Sequence, residues 1–471
     1  MARQRRLALR DGRGGARRRW VRRLRRGVSD AAIAHLEAGG GGGVLARAVA
    51  PTGQVLDASA VRSTLERGLA GGGFDGARVL VLIPDHTRTL PLPQLFRELV
   101  DLLAGARELT FMVALGTHPP LDEERLQRLV GISAEERAGR YRHVRIVNHG
   151  WFEDGTLVSL GTLPHTRIQA IAGERWHPTL GGDVDVLINR AVPEADRVVI
   201  LGPTFPHEVV GFSGGFKYYF PGVSGADMIN VTHWLGALSG VRGTIGIADT
   251  PVRAMIHAAA ELVSTPTTLI ALTVEGGGLG AIAVGDPVAA WAEAAERSNE
   301  RHVTHLPRPM ERVLACAPPM YDELWTAGKA MYKLEPALAE GGELIIYAPH
   351  LDTVSRVHGE WIERIGYHTL PYFLEQWERF AQVPLGVLAH STHVRGDGRW
   401  LDGREVPRAR VTLASRLGPD ACAQLNLGYL DPATVDVESW AGREDEGVML
   451  VRKAGERLYR APSAPVASRR S

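Results

Sequence analysis

Residues 79–88 read Val-Leu-Val-Leu-Ile-Pro-Asp-His-Thr-Arg. An unbroken apolar run of this length suits a strand buried on both faces, as in a parallel sheet covered by helices. The run ends at Pro84, which hands Asp85, Thr87 and Arg88 to the strand's carboxyl end, where ligands of open α/β sheets collect. Leu92, Leu95, Phe96, Leu99, Val100 and Leu103 then fall on one stripe of a helix. The stretch is therefore the turn of a βα unit, and it predicts the α/β class.

Working outward, the next unit repeats the plan. Leu109 to Leu115 reads as a strand, Gly116-Thr117-His118 as its carboxyl-end turn, and Leu121, Leu126, Leu129 and Val130 as the face of a helix. Val144 to Val147, Val184 to Ile188 and Val198 to Leu201 are further strands. The last of them leads into PHEVVGFSGGFKYYFPGVSGADMINVTH at 206–233. There Lys217 stands behind Gly214 and Gly215, so backbone can approach a bulky ligand while the amine reaches over it, the geometry of a tethered cofactor. His207 and His233 flank that lysine, and an imidazole serves as a base near neutral pH or as a metal ligand. A phosphate loop is excluded because Tyr218 and Tyr219 follow the lysine in place of Ser or Thr. Three strand ends thus aim polar groups at one edge.

From about residue 308 a second α/β pattern begins, with strands at Val313 to Ala317, Leu344 to Ala348, Leu385 to Ala389 and Val411 to Ala414. Between the first two, YDELWTAGKAMYKLEPAL reads as one helix that brings Lys329 to the interdomain cleft. The expected organisation is a disordered Arg-rich leader over 1–50, an N-terminal cofactor-binding α/β domain over 51–305, a C-terminal α/β domain over 306–460 and a disordered tail over 461–471. Both domains are expected to hold largely parallel sheets, with the active site in the cleft between them.

Composition narrows the function. Residues 1–26 carry twelve Lys and Arg, leaving 42 basic against 52 acidic residues and a net charge near −10 for the rest. An acidic body argues against nucleic acid as a partner, because such binding rests on clustered Lys and Arg. No apolar run approaches a membrane span or a signal-peptide core. Cys316 and Cys422 are the only cysteines, which excludes a disulfide framework and a Cys-rich zinc site, and the compartment expected is the cytoplasm.

The motifs PDHTR at 84–88, ALGTH at 114–118, PHEVVGFSGGFKYYFPG at 206–222, VTHW at 231–234 and DELWTAGKAM at 322–331 resemble those of the nickel-dependent lactate racemases and their 2-hydroxy acid racemase and epimerase relatives. The resemblance extends to TPV at 250–252 and AVGDPVAAW at 283–291. It implies an isomerase that inverts C2 of a small 2-hydroxy acid by reversible hydride transfer to a nickel-pincer nucleotide, a pyridinium dithio-acid mononucleotide loaded by cofactor-biosynthesis proteins. It further implies that Lys217 holds the cofactor covalently, that His233 is a nickel ligand, and that Asp85, Thr87, Gly214 and Gly215 lie beside the cofactor. His118 and His207 are then the alternating acid and base, because each enantiomer needs its own base. Arg88 and Lys329 match positions that contact the substrate carboxylate, for which a guanidinium is well shaped. The chain departs from lactate racemase at Thr326, where that enzyme carries glutamine, and over Ala348 to Asp352. Both departures bear on the substrate. The alternatives are a sugar-acid (aldonate) 2-epimerase of the same mechanism and a non-catalytic nickel-cofactor-binding protein. The expected preference is for an acid larger or more polar than lactate, met by the Thr326 hydroxyl and, if their loop faces the cleft, by His350 and Asp352.

Overall fold

The run Val79–Ile83 lies where its composition demands, inside a seven-stranded sheet with every one of its side chains buried. In chain order the strands are β1 (Val44–Val49), β2 (Arg78–Ile83), β3 (Glu108–Val113), β4 (Val144–Asn148), β5 (Arg197–Pro203), β6 (Thr267–Glu275) and β7 (Gly278–Gly285). Their spatial order is β1-β7-β6-β5-β2-β3-β4. The five strands from β6 to β4 run parallel, and β7 and β1 close one side as antiparallel neighbours. Connections from β2 lead to β3 on one side while β5 flanks it on the other, so a crevice opens at the carboxyl ends of β2 and β5. The computed structural model describes residues 42–116 and 118–462. Most of the expected leader, Thr117 and the tail from residue 463 lie outside the described residues.

Helices cover this sheet. α1 (Ala58–Leu69) starts at Asp57, whose carboxylate accepts from the Ala60 N–H, and α2 (Leu92–Leu102) buries the stripe read from the sequence. α3 (Glu123–Val130) is capped by Asp122 and stopped by Gly131, which takes φ 68°. Leu65, Leu95, Phe96 and Leu99 pack on Val81, Ile83, Phe111 and Val113 in one apolar core. α4 (Ala226–Ser239), α5 (Pro251–Ala260) and α6 (Pro287–His302) complete the covering.

The second sheet is fully parallel. Its strands β8 (Met310–Cys316), β9 (Leu338–Ala348), β10 (Arg410–Ser415), β11 (Gly428–Tyr429) and β12 (Val448–Val451) stand in the order β11-β10-β9-β8-β12. The described residues from Val44 onward form one compact unit that contains both sheets. Val303–His305 pairs with Leu458–Arg460, which fastens the end of the chain beside the segment joining the two sheets.

Four expectations are corrected. The leader drawn through residue 50 is too long, because Val44–Val49 pairs with β7 as an edge strand. Val184–Asn189 is a strand, but it forms a separate antiparallel pair with Leu157–Leu163 instead of joining the parallel sheet. The single helix expected after Tyr321 is broken at Gly328 into α7 (Leu324–Ala327) and α8 (Lys329–Leu334). Leu385 to Ala389 is no strand but the first half of helix α9 (Leu385–Arg395). A short apolar run fits a buried helix as well as a buried strand, and α9 is buried along almost its whole length.

Candidate active site

Pro84 ends β2, and the chain turns around Asp85. The buried Asp85 carboxylate accepts from the Thr87 N–H at 3.1 Å and the Thr87 hydroxyl at 2.7 Å, while its other oxygen holds His118 Nδ1. Burial alone would raise its pKa; the charge and hydrogen bond of His118, with Arg88 and Lys329, outweigh this and hold the carboxyl well below its usual range. In its neutral form the ring donates from Nδ1 to this carboxylate, so that Nε2 is the nitrogen that keeps a lone pair.

The segment after β5 supplies the opposite side. Pro206–His207 pairs with Gly211–Phe212, and Ser213 locks the base of this small hairpin through its hydroxyl to the Phe205 N–H at 2.9 Å. His207 is buried, and its Nδ1 accepts from the Val209 N–H at 3.2 Å, which places its proton on Nε2. The Glu208 carboxylate stands 3.4 Å from the same Nδ1. Burial, then the cations Lys217, Arg88 and Lys333, hold His207 well below its ordinary pKa.

Gly214 and Gly215 adopt φ 81° and 62°, conformations that side chains rarely take. They lead into a short 3-10 turn, Gly215–Tyr218, that carries Lys217. Burial, then Arg88, lowers the Lys217 amine to about 8. Two distant elements hold this loop. Arg253 donates to the carbonyls of Gly214, at 3.1 Å, and Phe212, and stacks 4.1 Å over Trp291, whose indole N–H bonds the Ser213 carbonyl at 2.8 Å. Thr250 caps α5 just before Arg253, and Asp286 caps α6 just before Trp291. The TPV and AVGDPVAAW motifs therefore serve the lysine loop from a distance. On α4, His233 donates from Nδ1 to the Ile229 carbonyl at 2.7 Å, leaving Nε2 as the free donor atom. Burial, then Lys217, lowers its pKa to about 4.

From the second sheet's side, Lys329 on α8 reaches Thr87 Oγ1 at 3.4 Å and lies 4.7 Å over the Tyr321 ring. Burial, then Arg88, holds its amine well below the usual value. Asp85, Arg88, His118, His207, Gly214, Lys217, His233, Thr326 and Lys329 all border one pocket of about 970 Å³, its open mouth included. Thr87 and Gly215 are not among its walls. Thr87 stands behind Asp85, and Gly215 packs on Trp291. His350 and Asp352 are also elsewhere: His350 bonds the Tyr321 carbonyl at 3.0 Å, and Asp352 pairs with Arg416 at 3.0 Å.

The sequence reading missed Glu208, Tyr332, His390 and His393, which share the pocket wall. His390 and His393 ride on α9, the helix misread as a strand. Two histidines three apart on a helical period were the available signal.

The fold and pocket define an α/β protein whose buried lysines and histidines meet at the carboxyl ends of parallel strands. The model of the lactate racemase N-terminal domain matches residues 59–172 and 179–244. The lactate racemase of Lactiplantibacillus plantarum is 30% identical over 162 residues, 33% of this chain and 32% of its own. That of Thermoanaerobacterium thermosaccharolyticum is 26% identical over 187 residues, 38% of either chain. The match thus spans little more than a third of these curated relatives. Among solved structures, a Thermotoga maritima protein superposes with a TM-score of 0.79 at 30% identity, over 88% of this chain and 100% of the other. The lactate racemase apoprotein of T. thermosaccharolyticum shares the fold, with a TM-score of 0.65 at 16% identity over 85% of this chain and 92% of the other. Residues 59–172 and 179–244 thus carry a lactate racemase N-terminal domain, and the fold around them is that of the lactate racemase apoprotein.

Proposed function

We propose that the protein is a racemase or epimerase that inverts C2 of a 2-hydroxy acid, with His118 and His207 as the alternating acid and base. The observation that carries this reading is the opposite setting of the two rings. Asp85 leaves His118 with a lone pair on Nε2, while the Val209 N–H leaves His207 with its proton on Nε2. Inversion requires one ring to take the hydroxyl proton and the other to return a proton when the planar keto acid is reduced on its opposite face. To return a proton without becoming an anion, His207 must be protonated on Nδ1 as well, which exchanges the bond from the Val209 N–H for one to the Glu208 carboxylate 3.4 Å away and leaves the ring neutral after transfer. Arg88 and Lys329 bind the substrate carboxylate, which fixes C2 between the rings.

The residues also suit the nickel-pincer nucleotide that the resemblance implies. Among the described residues no group of three or more His, Cys, Asp or Glu is arranged to hold a metal ion, so nickel held here needs donors from a bound group besides His233 Nε2. The carbonyl bond at Nδ1 orients that imidazole as a neutral ligand. Lys217, with a buried amine depressed to about 8, suits covalent attachment at neutral pH. The cofactor would supply the acceptor for the C2 hydride, chemistry no side chain here provides.

The test is to incubate protein from a cofactor-making host with single enantiomers of lactate, malate and gluconate, and to follow inversion at C2. Inversion of at least one acid by protein that carries an adduct is expected. An adduct with nickel but no inversion of any acid would leave a carrier protein and end the racemase reading.

A further inference from the structure

We infer that the preferred substrate is a 2-hydroxy acid with further hydroxyl groups beyond C2, and that His390 and His393 form the subsite receiving them. The inference rests on the racemase reading above and adds the substrate class. Helix α9 packs against α4, the helix of His233, and is buried from Gly386 to Val394. His390 and His393 lie on one face of it, three residues apart. They are only 6% and 3% exposed, and both border the pocket. The Nε2 atom of each is buried without a hydrogen-bond partner among the described residues. Each such atom has lost its water without gaining a partner, and native interiors seldom leave two together without a ligand or other purpose.

The chemistry of these rings selects the ligand. Burial lowers His393 to about 3, and burial, then the neighbouring His393, holds His390 well below its ordinary value. Neutral imidazoles present one N–H or one lone pair apiece, which a hydroxyl matches because it gives and takes a hydrogen bond. A second carboxylate would face rings that resist the positive charge it needs. The methyl of lactate, or an aromatic body, would leave both Nε2 atoms bare. The polar groups that the sequence offered for this role are already engaged. The Thr326 hydroxyl donates to the Glu323 carbonyl at 3.0 Å, and His350 and Asp352 are bonded outside the pocket. His390 is also held in place: its ring is stacked on Trp325 at 3.7 Å and 21°. A rigid, unpaired polar edge is what a hydroxyl-binding subsite requires.

The experiment compares adduct-bearing wild-type protein with His390→Phe and His393→Phe. Phenylalanine keeps ring volume, and at 390 the stack on Trp325, while removing the nitrogen. Wild type is expected to favour gluconate over lactate in kcat/KM by about tenfold or more, and each variant to reduce that ratio about fivefold or more. His390→Gln, which restores a donor and an acceptor, should recover part of the ratio, and it serves as the readout if a Phe variant does not fold. Preference for lactate in the wild type, or a ratio that none of these variants moves, overturns the subsite while the racemase reading stands. If adduct-bearing protein inverts no acid, calorimetric titration with gluconate and lactate decides: tighter gluconate binding that His390→Phe weakens supports the subsite, and equal binding overturns it.

Discussion

The two walls of the pocket are built on different terms. On the wall made by α4 and the strand ends of the first sheet, each imidazole has a ring nitrogen fixed by the chain: His118 by Asp85, His207 by the Val209 N–H and His233 by the Ile229 carbonyl. On the wall made by α7 to α9, His390 and His393 border the pocket and keep buried Nε2 atoms without a partner among the described residues, and Lys329 reaches across to Thr87. Defined proton positions are what acid–base chemistry needs, whereas open hydrogen-bonding atoms are what a recognition surface offers. The contrast fits the proposal that the first wall carries the chemistry and the second the choice of substrate.

The largest effect that could break this division concerns Lys217. Lys217→Ala should abolish the covalent adduct outright, read as mass on the intact protein, while His233→Ala should keep the adduct and lose nickel. An adduct of unchanged yield on Lys217→Ala would move the attachment point elsewhere. Next come the two bases. His118→Ala or His207→Ala should each slow inversion in both directions by about 10²–10⁴, without altering the final ratio of isomers. Near wild-type turnover in either variant would remove that ring from the mechanism and leave the first wall without its pair.

The supports behind the first wall come third. Arg253→Met leaves the buried carbonyls of Phe212 and Gly214 bare. That costs about 1–3 kcal/mol for each, less what is regained by no longer burying a guanidinium, for a net loss of about 2 kcal/mol in unfolding free energy. Denaturant titration checks it, and an unchanged midpoint would show that Trp291 and Ser213 alone hold the lysine loop.

These supports show what was legible in the sequence and what was not. Val79 to Ile83 reads plainly because burial on both faces leaves no polar residue to confuse the period. His118, His207, Lys217 and His233 come together because three strand ends share an edge, a rule that local sequence obeys. Arg253 and Trp291 are 36 and 74 residues beyond Lys217, and nothing local reveals that they fold back on it. Val44–Val49 is an edge strand with alternating exposure, hard to tell from the polar leader it follows. The α9 histidines were lost to a different cause. Leu385 to Ala389 is an apolar run too short to discriminate helix from strand, and the polar residues after it resemble a surface loop although they are buried.

A smaller effect concerns pH. His149, His233 and His302 are lowered from 6.5 to about 4, each chiefly by burial. Between those values the unfolded chain binds protons that the folded chain refuses, so stability is full above 6.5 and falls as pH drops toward 4, by about 1 kcal/mol for each ring over the first pH unit below 6.5. Melting temperature should therefore decline steadily over that window. A flat profile would mean that these buried sites, His233 at the pocket wall among them, tolerate charged rings.

The smallest effect expected is at Thr326, which sharpens the division by subtraction. The resemblance sets this residue against a glutamine of lactate racemase, and it borders the pocket, so sequence alone makes it the obvious determinant of substrate. Its hydroxyl, however, donates to the Glu323 carbonyl at 3.0 Å, and the same carbonyl also receives the N–H groups of Thr326 at 3.2 Å and Ala327 at 3.0 Å. Thr326→Val keeps the shape and strands no acceptor, so stability should change by less than about 1 kcal/mol. The gluconate-to-lactate ratio of kcat/KM should change by less than about threefold, because no hydroxyl is withdrawn from the ligand. A larger drop would show that the hydroxyl leaves the helix to meet the substrate. Selectivity would then belong to α7 as well as to the histidines of α9.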